Sequence, residues 1–133
     1  MKAMRVLVTG SSGYLGGPVV AKLAARGGSV VIALEVRAPA HPLPGEILET
    51  ADIRGQAADA IVARQRPDVV VHLASIVTPG KNSSREFEYS VDVDGTRNLL
   101  QACVRHGVRR IIVASSGAAY GYHADNPEWL TES

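Results

Sequence analysis

Apolar positions in this chain fall into short continuous runs, separated by stretches in which they recur every three or four residues. Arg5-Val6-Leu7-Val8-Thr9 is a β-branched run closed by Gly10, and Val30-Val31-Ile32-Ala33-Leu34 is a second. Ile47-Leu48, just ahead of Asp52, marks a weaker third strand. Val69-Val70-Val71-His72-Leu73 and Ile111-Ile112-Val113-Ala114 give a fourth and a fifth. Between the first two runs Leu15, Val19, Val20 and Leu23 stand at helical spacing, and Gly27-Gly28 stops that helix. Ala57, Ala60, Ile61 and Arg64 predict a helix ending before Pro67. One long helix is predicted over residues 86–106, with Val91, Leu99, Leu100, Cys103 and Val104 on its apolar stripe and Gly107 as its stop. The proline-bearing stretch 37–45 and the polar stretch 78–85 read as loops. Beyond Tyr120-Gly121 the chain turns polar, and no further regular element is expected.

Apolar strands without alternation, separated by helices, imply a parallel sheet covered on both faces. Right-handed crossovers then favour an α/β, doubly wound, Rossmann-like sheet of order 3-2-1-4-5. The 133 residues suffice for one domain, read as a dinucleotide-binding unit over residues 1–133. The composition is that of a soluble globular domain, 46% hydrophobic and 20% charged. A net charge of +1 gives no electrostatic case for nucleic acid or an anionic membrane. No apolar run approaches the ~20 residues of a membrane span. The N-terminus enters a strand pattern without a signal-peptide layout, and the single cysteine, Cys103, excludes an internal disulfide framework. The expected compartment is the cytoplasm.

The chemistry begins at Thr9-Gly10-Ser11-Ser12-Gly13-Tyr14-Leu15-Gly16, between the first strand and the first helix. Gly10 permits a tight turn, Gly13 lets the backbone approach a pyrophosphate, and Gly16 allows close packing of the helix. A helix beginning near Tyr14 would present free N–H groups and a partial positive charge to phosphates. The strand–glycine loop–helix context separates this pattern from a ligand-free glycine turn. Glu35 ends the second strand 19 residues after Gly16, where a carboxylate can accept hydrogen bonds from adenosine ribose hydroxyls. That favours NAD over NADP. Arg37 is the alternative determinant, able to hold a 2′-phosphate, or else a solvated loop charge.

The spacing Thr-Gly-x-x-Gly-x-x-Gly resembles the extended short-chain dehydrogenase/reductase family, and within it the NAD-dependent epimerase/dehydratase group. Further matches follow in order. Asp52-Ile53 resembles the pair that contacts adenine. His72-Leu73-Ala74-Ser75 resembles the turn lining the cofactor. Val93-Asp94-Gly95-Thr96-Arg97-Asn98-Leu99-Leu100 resembles the long-helix signature, and Ser115-Ser116-Gly117-Ala118-Ala119-Tyr120-Gly121 the Ser-Ser-x-x-x-Tyr-Gly segment. The resemblance implies NAD as cofactor, bound through Gly10, Gly13, Tyr14, Leu15, Gly16, Glu35, Asp52, Ile53, Leu73, Ala74 and Ser75. It implies hydride transfer at a carbinol carbon, with a sugar or nucleotide sugar as substrate, and a homo-oligomer. It assigns Ser116 to orienting the reacting hydroxyl or carbonyl; without it, Ser116 reads as a strand-ending serine bonded to local backbone.

Two departures matter. The family's acid/base is a Tyr-x-x-x-Lys pair, and Tyr14, Tyr89, Tyr120 and Tyr122 are followed four residues on by Pro18, Val93, Ala124 and Asn126. The chain ends about where the resemblance places that helix, which leaves open a non-catalytic dinucleotide-binding module. The fifth strand is then expected to be an uncovered edge that favours self-association. The second departure is Asp92, three residues before Gly95-Thr96, where the family commonly has Asn. The remaining polar residues read as structural. His72 belongs to packing and hydrogen bonding, His41, His106 and His123 show no metal spacing, and Arg105, Arg109 and Arg110 form a charge group at a helix C-terminus. Trp129 and Leu130 could pack on the sheet.

Overall fold

The computed structural model describes residues 2–132. Five strands, β1 (Met4–Thr9), β2 (Ser29–Glu35), β3 (Ile47–Thr50), β4 (Val69–His72) and β5 (Arg110–Val113), form one sheet of order β3-β2-β1-β4-β5. Every pairing is parallel. The strand order reverses between β1 and β4, and in such sheets ligands bind in the crevice outside the carboxyl ends of the strands at that point.

Alternation along β1 divides the core. Leu7 points to one face, with Ile32, Val70 and the apolar residues of α2 (Gln56–Gln65) and α4 (Thr96–Arg105). Val6 and Val8 point to the other, against Val20 of α1 (Gly16–Arg26). The sheet is therefore wound on both faces. On the α1 side coverage stops before β5, and Ile112 remains 50% exposed.

The predicted long helix is interrupted. α3 (Arg85–Tyr89) passes into a π-helical turn, Ser90–Gly95, before α4 begins. The π-helical turn coincides with close packing that periodicity does not carry. A Cβ on Gly95 would lie 2.7 Å from Ile53 Cδ1, so the helix backbone is pressed against Ile53. Asn98 Nδ2 donates to the carbonyls of Ile53 at 2.6 Å and Gly55 at 3.1 Å, pinning α4 to the chain after β3. Cys103 is buried on the α4 face that meets the core. A 3-10 turn, Gly117–Tyr120, follows β5, and Trp129 stands 80% exposed, so it does not plug the sheet edge.

Candidate functional site: a crevice across the strand ends

Between β1 and α1 the glycines have distinct surroundings. Gly10 has φ +65°, open to glycine and costly for other residues, and a Cβ there would sit 2.8 Å from Ala74 N. A Cβ on Gly16 would fall 2.0 Å from Gly10 O, so Gly16 packs the helix start onto the turn itself. A Cβ on Gly13 would meet only Gly10 O, at 3.2 Å, and otherwise face open space. α1 is regular from Gly16, close to the expected start near Tyr14: Gly17 N–H already donates to Gly13 O at 3.0 Å and Val19 N–H to Leu15 O at 3.2 Å, and Pro18, which has no N–H, breaks the run between them. Tyr14 projects its side chain into solvent, 94% exposed, so the backbone is what it can offer a ligand. No side chain caps the N-terminus of α1, and its first turn carries no acid. The N–H groups left over at such an end suit an anion.

To one side of this N-terminus lies a cleft of about 440 Å³ at the ends of β2 and β3. Glu35 stands in its wall, and its Oε1 accepts the Ser12 N–H at 2.5 Å. Asp52 and Ile53 line it too. Ile53 is buried, whereas the Asp52 carboxylate is gripped by the Arg54 guanidinium, Nη2 to Oδ2 at 2.5 Å. That charge-assisted hydrogen bond holds the Asp52 carboxyl below the ordinary Asp range. Arg54 also donates to Ser90 Oγ at 2.9 Å and stacks 5.0 Å from the centroid of Phe87, the chain's one phenylalanine. Sequence reasoning missed this Arg54–Phe87 wall. The signal was an arginine two residues after Asp52, but its partner lies 33 positions away on a helix that had to be docked first.

To the other side, at the ends of β4 and β5, lies a second cleft of about 500 Å³. Leu73, Ala74 and Ser75 line both clefts, so the two are one crevice running across the switch point. Leu15, Asp92, Thr96 and Ser116 belong to this half. Ser116 Oγ accepts the Ala118 N–H at 3.2 Å, capping the 3-10 turn, and its hydroxyl hydrogen remains available to donate. Asp92 Oδ1 accepts the Ile76 N–H at 2.9 Å, a bond an Asn oxygen could make equally. Sequence-predicted residues thus gather along one crevice, with Gly16 and Tyr14 framing the helix end rather than lining a wall.

Beneath the second half a buried network fixes the turn. Thr9 Oγ1 accepts the N–H groups of Leu73 and Ala74, both at 3.2 Å, so its own proton goes to His72 Nδ1 at 2.7 Å. His72 Nε2–H then donates to Thr96 Oγ1 at 2.9 Å. The imidazole is neutral and tautomerically fixed. Burial pushes His72 below the ordinary histidine range, with the Asp92 carboxylate partly opposing. His72 is structural, as its sequence reading held, and Thr9 and Thr96 join it.

The folded state refuses a proton that the unfolded chain accepts near pH 6.5. Stability is then full above that value and declines as pH falls below it. Asp68, held low by the Arg5 backbone N–H, and Asp52 lose their contributions only below about pH 4, where unfolded carboxyls take protons. The melting temperature should therefore drop between pH 7 and 5, before the carboxylates titrate, and His72→Asn should flatten that limb. A wild-type melting temperature constant across this window would contradict the neutral-histidine assignment.

Away from the crevice, Arg105 and His106 pair with Asp59 on α2, and Arg109 pairs with Asp68. Among the described residues no group of three His, Cys, Asp or Glu side chains could hold a metal ion, and no helix is long and apolar enough to cross a membrane.

Parallel order, a switch-point crevice and a glycine turn under an uncapped helix define a doubly wound, Rossmann-like α/β domain. The chain belongs to the NAD dependent epimerase/dehydratase family, whose model matches residues 6–133. UDP-glucose 4-epimerase 4 of Oryza sativa subsp. japonica is 34% identical over 92% of this chain and 37% of its own length. Among solved structures, uronate dehydrogenase from Agrobacterium tumefaciens superposes with a TM-score of 0.77 at 30% identity, covering 92% of this chain and 44% of the other. The UDP-glucose 4-epimerase of Thermus thermophilus, crystallised with NAD, gives a TM-score of 0.73 at 32% identity, over 86% of this chain and 38% of that one. The chain spans about two fifths of the length of the relatives it matches.

Proposed function

We infer that this chain is the cofactor-binding part of an NAD-dependent oxidoreductase of epimerase/dehydratase type, acting on a carbinol carbon of a sugar or nucleotide sugar. One observation carries the reading. Two adjoining clefts run from Glu35, past an uncapped helix N-terminus, to the half lined by Ser116 and Asp92. The parts fit a dinucleotide: a carboxylate for ribose hydroxyls, an uncapped helix N-terminus for the pyrophosphate, and open space over Gly13.

When bound, the nicotinamide supplies a hydride acceptor or donor for the carbinol–carbonyl interconversion. The chain's own residues bind and orient. Glu35 takes ribose hydroxyls, Leu73, Ala74 and Ser75 form the floor, and Ser116 donates to the substrate oxygen as negative charge builds there. The Glu35 carboxylate would repel a 2′-phosphate, so NADH should bind at least ~10-fold more tightly than NADPH, a difference of about 1.4 kcal/mol. Glu35→Ala should erase most of that preference in a calorimetric titration. A wild type that favours NADPH would hand the choice to Arg37 and overturn this assignment.

A second reading is favoured by one specific observation: no tyrosine among these 133 residues has a lysine four positions on. As a polypeptide by itself the chain then acts as a dinucleotide-binding module, since a positioned general acid/base contributes ~10²–10⁴ in rate. Purified alone with NAD, it should release no NADH from UDP-glucose or a uronate, and steady NADH production would contradict this. Homo-oligomerisation belongs to the same reading. It is supported by Ile112, 50% exposed on the open edge strand β5, and by Val104, 84% exposed on α4. A monomeric mass in light scattering at high concentration would remove it.

A further inference from the structure

The oxidised and reduced forms of a nicotinamide dinucleotide have almost the same shape and differ by one positive charge on the ring. A fixed carboxylate near the ring therefore separates them, whereas hydroxyls and apolar walls do not. In the half of the crevice at β4 and β5, Asp92 is the one acid among the described lining residues, and no lysine or arginine lines it. The cleft is also lined by Leu15, Val77, Thr96, Ser116 and His72, which the hydrogen-bond network holds neutral. No cationic side chain lining that cleft offsets the charge.

Asp92 is also held in place. Its Oδ1 accepts the Ile76 N–H at 2.9 Å, and it stands in the π-helical turn Ser90–Gly95, a distortion found often at functional sites. With the adenosine at Glu35 and the pyrophosphate at the α1 N-terminus, the second nucleoside falls into this half. We propose that Asp92 sets the crevice's preference between redox forms of its cofactor, favouring the oxidised dinucleotide over the reduced one. The proposal rests on the function inferred above. It makes Asp92 a specificity-determining residue at the position where the resemblance leads one to expect an uncharged amide. A site so biased retains the form that can accept a hydride, which suits a cycle that begins by oxidising the carbinol.

The test is a calorimetric comparison of NAD⁺, NADH and ADP-ribose on the 133-residue chain and three variants. Asp92→Asn keeps an oxygen for the Ile76 N–H and removes only the charge. The ratio of the NADH to the NAD⁺ dissociation constant should fall about tenfold, the order expected for one partly screened charge several ångströms away. ADP-ribose, which lacks the ring, should bind both proteins equally. Asp92→Ser should shift the ratio the same way. Asp94→Asn, which removes an exposed acid paired with Arg97 at 2.8 Å, should leave it alone. An unchanged ratio in Asp92→Asn overturns the proposal, and so does equal weakening of all three ligands, which would make Asp92 only a brace for Ile76. A wild type that binds none of the three overturns the inferred function, and the proposal with it.

Discussion

Gly13→Val should reduce NADH affinity at least ~100-fold, about 2.7 kcal/mol, while the protein stays folded. The expectation comes from what surrounds Gly13. A Cβ there has one close neighbour, the Gly10 carbonyl oxygen at 3.2 Å, which needs to yield only a few tenths of an ångström. The backbone at Gly13 is not in the left-handed region, so valine is tolerated conformationally. The two methyl groups then occupy the open space beside the α1 N-terminus, where the phosphates must approach the N–H groups. Calorimetry should show the loss of binding, with far-ultraviolet circular dichroism and the melting temperature close to wild type. Undiminished affinity would place the pyrophosphate elsewhere.

Gly16→Ala should do the reverse and strike the fold first. Its Cβ would lie 2.0 Å from Gly10 O and 2.8 Å from both Gly10 C and Ser11 Cα, all of them backbone atoms in a tight turn. Such a clash is relieved only by shifting α1 away from the sheet face it covers. Overpacking of a well-packed core costs about 1–3 kcal/mol, and a backbone collision should reach ~3 kcal/mol or more. In a domain of this size that is a loss of roughly 10 °C in melting temperature. Gly17→Ala is the control. Its Cβ would meet nothing nearer than Ser11 O at 4.0 Å, and alanine favours the helix, so stability should hold or rise. Equal melting temperatures for Gly16→Ala and wild type would contradict the packing described.

The five strands and their order were legible because buried parallel strands write themselves as unbroken apolar runs, and Val30 to Leu34 is a clear case. The glycine turn was legible because each glycine answers a separate steric demand. Glu35 was placed by its position at the end of the second strand, and Asp52, Ile53 and Leu73–Ser75 by family resemblance; the structure brings them together on one cleft. What stayed hidden depends on contacts between distant segments. The π-helical turn arises where Gly95 meets Ile53, 42 positions earlier, and helical periodicity runs through it unchanged. The engagement of Asp52 by Arg54, and of Arg54 by Phe87, appears only after α3 docks against the end of β3. Thr9 looked like a strand residue before a glycine. Its role in fixing the 73–75 turn and the tautomer of His72 needed the register of β1 on β4, in which Thr9 stands opposite His72.

The central claim is that a nicotinamide dinucleotide lies along the crevice from Glu35 to Ser116. Amide chemical-shift mapping during an NADH titration of the ¹⁵N-labelled chain tests it most directly. The account predicts perturbations at residues 10–16, at Glu35 and Ile53 on one side, and at Ala74, Asp92 and Ser116 on the other. Perturbations confined to the basic groove at the opposite end of the sheet, lined by Lys2, Arg66, Arg105 and Arg109, would contradict it, as would a spectrum that NADH leaves unchanged.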